Sequence, residues 1–429
     1  MDILIPLGTL FGCFALGVPI AYALGLAALA GAIWAGLPIE AVMLQISSGV
    51  SKFAMLTIPF FVLAGAIMAE GGMARRLVAF ANVLVGLVRV RGGLSVVNIL
   101  ATTFLSGISG SAVADTSAIG SVMIPQMERN GYPRVFATNV TITASVQALL
   151  VPPSHNAVIY SLATGGTISV ISLFMAGVVP GLLLAFALIV LCLVIAYRSD
   201  HPRGETVPLR EAGRIALDAF WGLVTLAIIL GGILGGVFTA IEAGAVACVW
   251  AFFVTMFIYR DYAWRDLPEL IHRTLRTVAM VMTLIAMAAS LGYIMAIMQL
   301  PAKITALFLT VSHDKDVILL LINVMLLVLG CVMDMAPSIL ICTPILLPVV
   351  MNFGVDPVHF GMIMMLNLGI GLCHPPVGAI LFVGCAVGKV TMEQVIRKIW
   401  PFYAVMFAVL MLVTYIPAIS LWLPRLLKL

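Results

Sequence analysis

Apolar residues fall in long blocks, at residues 3 to 37, 54 to 70, 94 to 124, 135 to 163, 171 to 197, 217 to 237, 241 to 259, 278 to 299, 317 to 350, 358 to 387 and 400 to 422. A helix needs roughly 20 apolar residues to cross the hydrocarbon core of a bilayer, and most of these blocks reach that length. From Val135 to Tyr197 there is no Lys, Arg, Asp or Glu, the pattern of spanning helices rather than of a soluble core. Residues 71 to 92 and 300 to 316 are too polar or too short to span. They read as amphipathic helices lying at the membrane surface, one in each half of the chain.

Basic residues separate the blocks in five clusters. These are Arg75, Arg76, Arg89 and Arg91; Arg129 and Arg134; Arg198, Arg203, Arg210 and Arg214; Arg260, Arg265, Arg273 and Arg276; and Lys389, Arg397 and Lys398. Lys and Arg are retained on the cytoplasmic side of a membrane. All five clusters can share that side only if blocks 94 to 124 and 317 to 350 enter and return on one face. Each is too long for one helix and too short for two full spans. Each also carries helix breakers at its centre: Ser106, Gly107, Ser109, Gly110 and Ser111 in the first, Gly330, Asp334, Ala336 and Pro337 in the second. Irregular backbone at membrane depth is tolerated only when buried in protein or lining a cavity. The pattern predicts two re-entrant hairpins, the first open to the cytoplasm and the second to the outside.

The halves repeat. Pro125, Gly131, Pro133, Phe136, Pro152 and Pro153 in the first correspond to Pro348, Gly354, Pro357, Phe360, Pro375 and Pro376 in the second, with 348 − 125 = 223 and 375 − 152 = 223. The predicted fold is an all-α polytopic membrane protein of two inverted repeats. Residues 1–197 form the first, with hairpin 94–124 and a Pro-broken helix 135–163. A cytoplasmic linker, 198–216, contains Pro202, Gly204 and Pro208. Residues 217–429 form the second, with hairpin 317–350 and broken helix 358–387. Inverted repeats with helices interrupted at the midplane are an architecture of secondary transporters.

Composition narrows the function. With 63% hydrophobic and 9% charged residues and a mean hydropathy of +1.19, little chain is left for a soluble enzyme domain. The net charge of +4 resides in loops and forms no stripe that could track a nucleic acid. Seven cysteines stand singly in apolar surroundings and read as small buried hydrophobes. The N-terminal block has no basic region before it and reads as a first span, not a cleaved signal. An intramembrane enzyme would need a catalytic constellation, and no GxSxG, HExxH or facing Asp pair is present.

Proline inside a helix frees carbonyl oxygens a turn earlier, and hard cations take oxygen ligands. A first Na⁺ site is expected from the hydroxyls of Ser106, Ser109 and Ser111 with the carbonyls of Gln147, Leu150 and Pro152. A second is expected from carbonyls around Gly330, Met333, Gly371, His374 and Val377. Candidates for a substrate cavity are Ser109, Asp115, Ser154, His155, Asp334 and Pro375, where the ends of half-helices favour a carboxylate. Each has a plainer reading. Gly/Ser runs also mediate close helix packing, Asp334 can cap a helix, and His155 and His374 can be neutral and bonded to carbonyls. Glu242 reads as a helix-start carboxylate, while Glu70 and Asn367 receive no role.

The segments LGVPIAYALGLAAL, IPFFVLAGAIMAEGGMARRLV, SGISGSAVADTSAIGSVMIPQM, VPPS, FTAIEAGAVA and GLCHPPVGAILF resemble the large membrane subunit of tripartite ATP-independent periplasmic (TRAP) transporters, over nearly the whole chain. The resemblance implies an elevator mechanism in the inner membrane of a bacterium, in which a transport domain of hairpins and broken helices moves Na⁺ and an organic acid past a fixed scaffold. It also implies a small four-helix membrane subunit and a periplasmic substrate-binding protein. A stand-alone carrier of the same superfamily is the alternative. Two departures stand out: His374 where the family usually has Thr, and Ser154, His155 and Asn156 where many members have Ser-Ile after Pro-Pro.

Overall fold

The computed structural model describes residues 4–87, 90–202, 208–375 and 378–429, and every regular element among them is a helix. In the first half these are α1 (Leu4–Ala15), α2 (Ile20–Trp34), α3 (Ile39–Val50), α4 (Thr57–Glu70), α5 (Met73–Gly86), α6 (Gly93–Ser109), α7 (Ala112–Arg129), α8 (Arg134–Ala144), α9 (His155–Ala163) and α10 (Val170–Arg198). The second half contains α11 (Leu209–Leu234), α12 (Ala240–Phe253), α13 (Leu267–Ile297), α14 (Leu300–Val311), α15 (Lys315–Val332), α16 (Met335–Asn352), α17 (Pro357–Gly371), α18 (Ala379–Gly388), α19 (Met392–Tyr415) and α20 (Ala418–Leu426). Among the described residues, 8 helical segments are long and apolar enough to cross a membrane.

Several boundaries differ from expectation. Of the two readings open for the first block, one bent helix or two short ones broken at Gly17 to Pro19, the structure has the second, α1 and α2, because Pro19 cannot donate to a continuing helix; Gly31 of α2 packs back on Pro6 of α1. The helix α3 was hidden by Glu40, Gln45, Ser47 and Ser48, which dilute its hydropathy. The hairpins are longer than their apolar blocks: α15 and α16 have 18 residues each, about 27 Å at 1.5 Å per residue. Length alone therefore does not make them re-entrant, and both arms qualify as spans. The second hairpin breaks at Met333 and Asp334, with Gly330 inside α15 and Pro337 in the first turn of α16, where a missing N–H costs no helical bond. Residues 209 to 216, assigned to the linker by polarity, begin α11 instead. Arg89, Arg203, Gly204, Pro376 and Val377 lie outside the described residues.

The helix register repeats as the landmarks did: 335 − 112 = 223 at the start of the second hairpin arm, 352 − 129 = 223 at its end, and 357 − 134 = 223 at the next helix. The halves also exchange partners. Helix α7 packs on α18 and α16 on α9, while α8 packs on α19 and α17 on α10. At one end, Arg134 Nε donates to the Gly388 carbonyl at 2.6 Å. Elsewhere, the Tyr160 hydroxyl donates to the Pro357 carbonyl at 2.7 Å.

Described members of all five basic clusters gather at one end of the molecule. Arg76 pairs with Asp261, joining the first cluster to the fourth, as does Arg273 with Glu70 at 2.8 Å. Arg91 pairs with Asp200 at 2.6 Å, and Tyr132 donates to the Pro202 carbonyl at 3.3 Å, which bring in the third cluster and the second. The Arg134 bond to Gly388 adds the fifth, beside Lys389. Glu70 is thereby explained as the acidic partner of α13's first turns.

Where the second hairpin meets its broken helix the crossing is backbone on backbone: a methyl group on Gly371 would stand 2.6 Å from the Gly330 carbonyl carbon. Neither chain can give way by rotating a side chain. Gly371→Ala is expected to cost about 1 to 3 kcal/mol by overpacking and to lower the thermal midpoint of the detergent-solubilised protein by several degrees. Gly8→Ala, which meets nothing within 4 Å, should leave the midpoint unchanged or raise it.

Candidate substrate cavity and ion sites

Helix α6 stops at Ser109 because Gly110 takes φ 60°, a left-handed conformation that only glycine adopts without strain. Helix α7 restarts after Ser111, whose hydroxyl accepts the Ala114 N–H at 3.4 Å. The loop is closed from within. Ser106 donates to one oxygen of the fully buried Asp115 at 2.6 Å, Ser109 donates to the other, and the Ser111 N–H reaches the Ser109 hydroxyl at 3.2 Å. Asp115 therefore binds its own hairpin together.

The tip sits on the break of the first interrupted helix. A Cβ on Gly110 would stand 2.7 Å from the Pro153 carbonyl oxygen, and one on Gly107 would stand 3.5 Å from that of Pro152. These two carbonyls face the hairpin. The expected ligand set is narrower than predicted, because the Gln147 carbonyl already accepts the Leu150 and Val151 N–H groups at 2.9 and 2.8 Å. The Leu150 carbonyl lies against Gly177 of α10. Gln147 turns its side-chain oxygen to Thr103 at 2.5 Å.

In the second half Gly330 touches Gly371, and Met333 ends α15 in an extended conformation, its N–H on the Leu329 carbonyl at 2.8 Å. The Gly371 carbonyl accepts the His374 N–H at 2.9 Å, and the His374 carbonyl accepts the Gly378 N–H at 3.2 Å. The His374 ring stacks on Tyr403, with centroids 5.2 Å apart. Its Nδ1 lies 2.8 Å from the Pro375 carbonyl, which can only accept, so Nδ1 carries the proton. Asn367 donates to the Asn323 side-chain oxygen at 2.7 Å, tying α17 to α15.

Between the two tips lies a cavity of about 400 Å³. Ser109, Ser111 and Ala112 of the first tip, Asp334 and Ala336 of the second, and His155, Asn156 and Leu372 of the breaks line it, with α4 and α13 closing the far wall. Of the sequence candidates, Ser109, His155 and Asp334 reach the cavity. Asp115, Ser154 and Pro375 do not: Asp115 is turned into its hairpin, and Ser154, 1% exposed, keeps a buried hydroxyl without a partner among the described residues. Asp334 occupies the N-cap position of α16 but makes no capping bond, so its carboxylate is left to the cavity. Glu242, by contrast, caps α12 as expected, in a reciprocal pair with Thr239.

Sequence reading marked Asn156 only as a departure from the family pattern, and missed Thr277 and the apolar wall of Gly65, Ala66, Met280 and Leu284. A Cβ on Gly65 would stand 3.0 Å from the Ser109 carbonyl oxygen. No Lys or Arg lies among the described lining residues. The N-terminal turns of α7, α9 and α16 all contribute to the wall, and their helix dipoles favour an anion.

The sequence profile of the "Tripartite ATP-independent periplasmic transporter, DctM component" family matches residues 7–419. The chain belongs to this family of large permeases. It is 37% identical to the C4-dicarboxylate TRAP transporter large permease protein DctM of Rhodobacter capsulatus, covering 100% of both chains. It is 39% identical to the isethionate TRAP transporter permease protein DctMQ of Oleidesulfovibrio alaskensis, covering 98% of this chain and 67% of that one. The crystal structure of the Alcanivorax borkumensis YdaH transporter shares the fold, with a TM-score of 0.64 at 14% identity over 90% of this chain and 88% of that one. This DctM-family chain is a transporter permease of the inner membrane and not an enzyme.

The Asp115 clasp generates a test. Removing both donors with Ser106→Ala and Ser109→Ala strands a buried carboxylate, which costs more than removing the charge itself. The double variant is expected to give a lower folded yield by size-exclusion chromatography than Asp115→Asn, which retains a hydrogen-bonding partner for both serines.

Proposed function

We propose that this DctM-family chain is the transport subunit of a Na⁺-coupled, binding-protein-dependent secondary transporter that takes up a small organic acid by an elevator mechanism. The observation that carries this reading is the cavity held between two hairpin tips and two broken helices, with helix N-termini converging on it. The acid's carboxylate lies on those N-termini. Asn156 offers it a further hydrogen bond. C4-dicarboxylates are one such class, as the name of the Rhodobacter relative suggests. A four-helix small subunit and a periplasmic binding protein complete the system; a relative named DctMQ that is half as long again as the matched region suits fusion of the two membrane subunits.

The repeats are inverted in this reading. Supporting it, the start of α8 adjoins the end of α18 while the start of α17 adjoins α9, so the two broken helices run in opposite directions. With both tips at one cavity, the hairpins open to opposite sides. The α4 and α13 wall, made of Val62, Gly65, Ala66, Met280 and Leu284, is smooth and apolar and suits a scaffold past which the hairpins slide. The first Na⁺ lies near Ser106, Ser109 and the Pro152 carbonyl, where Asp115 supplies negative charge. The second lies beside Gly330, Met333 and His374.

Uptake into proteoliposomes containing both membrane subunits, with the loaded binding protein outside, is expected to require an inward Na⁺ gradient. Equal uptake driven by a proton gradient without Na⁺ would refute the sodium assignment and favour His155 or His374 as proton carriers. Ser109→Leu is expected to insert normally yet lose uptake; wild-type uptake by that variant would reduce the first tip to a packing element.

A further inference from the structure

A second cavity, of about 320 Å³, opens between α3, the last turn of α9, α13 and α16. It shares α13 and α16 with the central cavity. Helix α13 lines the central cavity with Thr277 to Leu284 and this one with Ile285 to Tyr293, and α16 does so with Asp334 to Ala336 and then Leu340 and Pro344. One helical turn, about 5.4 Å, separates the two sets on α16. Helix α13 begins at the Arg273 ion pair of the arginine-rich end, so the second cavity lies toward the opposite face. There the positive-inside rule makes a cation unusual.

Its polar lining is donor-rich. Lys52 is exposed and places Nζ 3.3 Å from the Gly165 carbonyl, a long bond that engages one of three ammonium protons. The Ser48 hydroxyl donates to the side-chain oxygen of Gln45 at 3.2 Å, leaving the Gln45 amide N–H groups to donate. Tyr293 adds a hydroxyl. Lys52 is the sole charged side chain among the described lining residues. An apolar floor of Ile285, Ala288, Leu340 and Pro344 completes the cavity.

We propose that this cavity is an outer antechamber in which Lys52, assisted by Gln45 and Tyr293, captures the acidic group of a small organic anion before it passes along α13 to the central cavity. The antechamber rests on the transport reading above and adds to it a recognition step outside the hairpins. A lone, solvated ammonium attracts anions weakly and is screened by salt, which suits a site that must hand its ligand onward. It selects by charge, so carboxylates as a class are held there whether or not they are carried.

The test uses the full chain in proteoliposomes with Ser48→Cys as a reporter. Its modification by neutral methyl methanethiosulfonate is followed by peptide mass spectrometry, with the native cysteines read separately. Millimolar succinate is expected to slow modification several-fold, choline to leave it unchanged, and high salt to abolish the protection. Lys52→Gln should lose the protection and Lys52→Arg keep it. Absence of protection in the Lys52 protein, or equal protection in Lys52→Gln, overturns the proposal. Labelling needs no turnover, so uptake lost with protection kept counts against the transport reading alone, and uptake kept with protection lost counts against the antechamber alone.

Discussion

A backbone break inside hydrocarbon leaves polar groups that water cannot reach, and each unsatisfied group costs several kcal/mol. At the two hairpin tips and the two interrupted helices, the described residues cover each break with another. The first hairpin tip presses Gly107 and Gly110 onto the Pro152 and Pro153 carbonyls, and the second hairpin crosses its broken helix at Gly330 and Gly371. Inside the first tip, Ser106 and Ser109 spend their hydroxyls on Asp115. The cavity exists because the breaks have to meet. Its position at the junction of both tips follows from the same requirement that makes the breaks tolerable.

Charge then places this assembly across the membrane. Ion pairs and carbonyl contacts link described members of all five basic clusters at one end, so these arginines form a single layer and not separate loops. Several of these links join helices distant in sequence, such as Arg76 with Asp261. The pairs are exposed and contribute little to stability singly; their effect is on orientation. Lys52, beside the second cavity and the later turns of α13, stands apart from this layer.

Much of the fold could be read from the chain because membrane helices advertise themselves by length and composition. The Pro-Pro pairs, the Gly/Ser centre of residues 106 to 111 and the common offset located both hairpins and both broken helices. Polar interruptions hid α3, and the two arms of the second hairpin were underestimated because Asp316 and Asn352 bound its apolar block without ending its helices. The candidate sites were legible only to the level of segment. Hydropathy and spacing put Asp115 and Asp334 at the tips, but they could not show that one carboxylate turns inward to its serines while the other opens to the cavity. Nor could they show that the Gln147 carbonyl was already occupied by two N–H groups, since that depends on the 3₁₀ winding of Ser145–Leu149. The α4 and α13 wall is apolar in the manner of any spanning helix, and nothing in its composition distinguishes cavity from lipid.

In the proposed transport reading an anion is held with no arginine or lysine among the described lining residues, which has a consequence for transport. Full cationic side chains give short, charge-assisted bonds about twice as strong as neutral ones, and a ligand so held leaves slowly. Helix N-termini offer about half a charge each, spread over N–H groups whose positions are fixed by the same hairpins that define the cavity. The attraction therefore lasts only while the tips and half-helices keep their arrangement. Asp334, facing the same space, opposes any second negative charge and further limits how tightly a dianion is held. Such a cavity favours release over retention. In that proposed reading affinity is gained before the membrane step, and the membrane chain is left to move a ligand that it holds loosely.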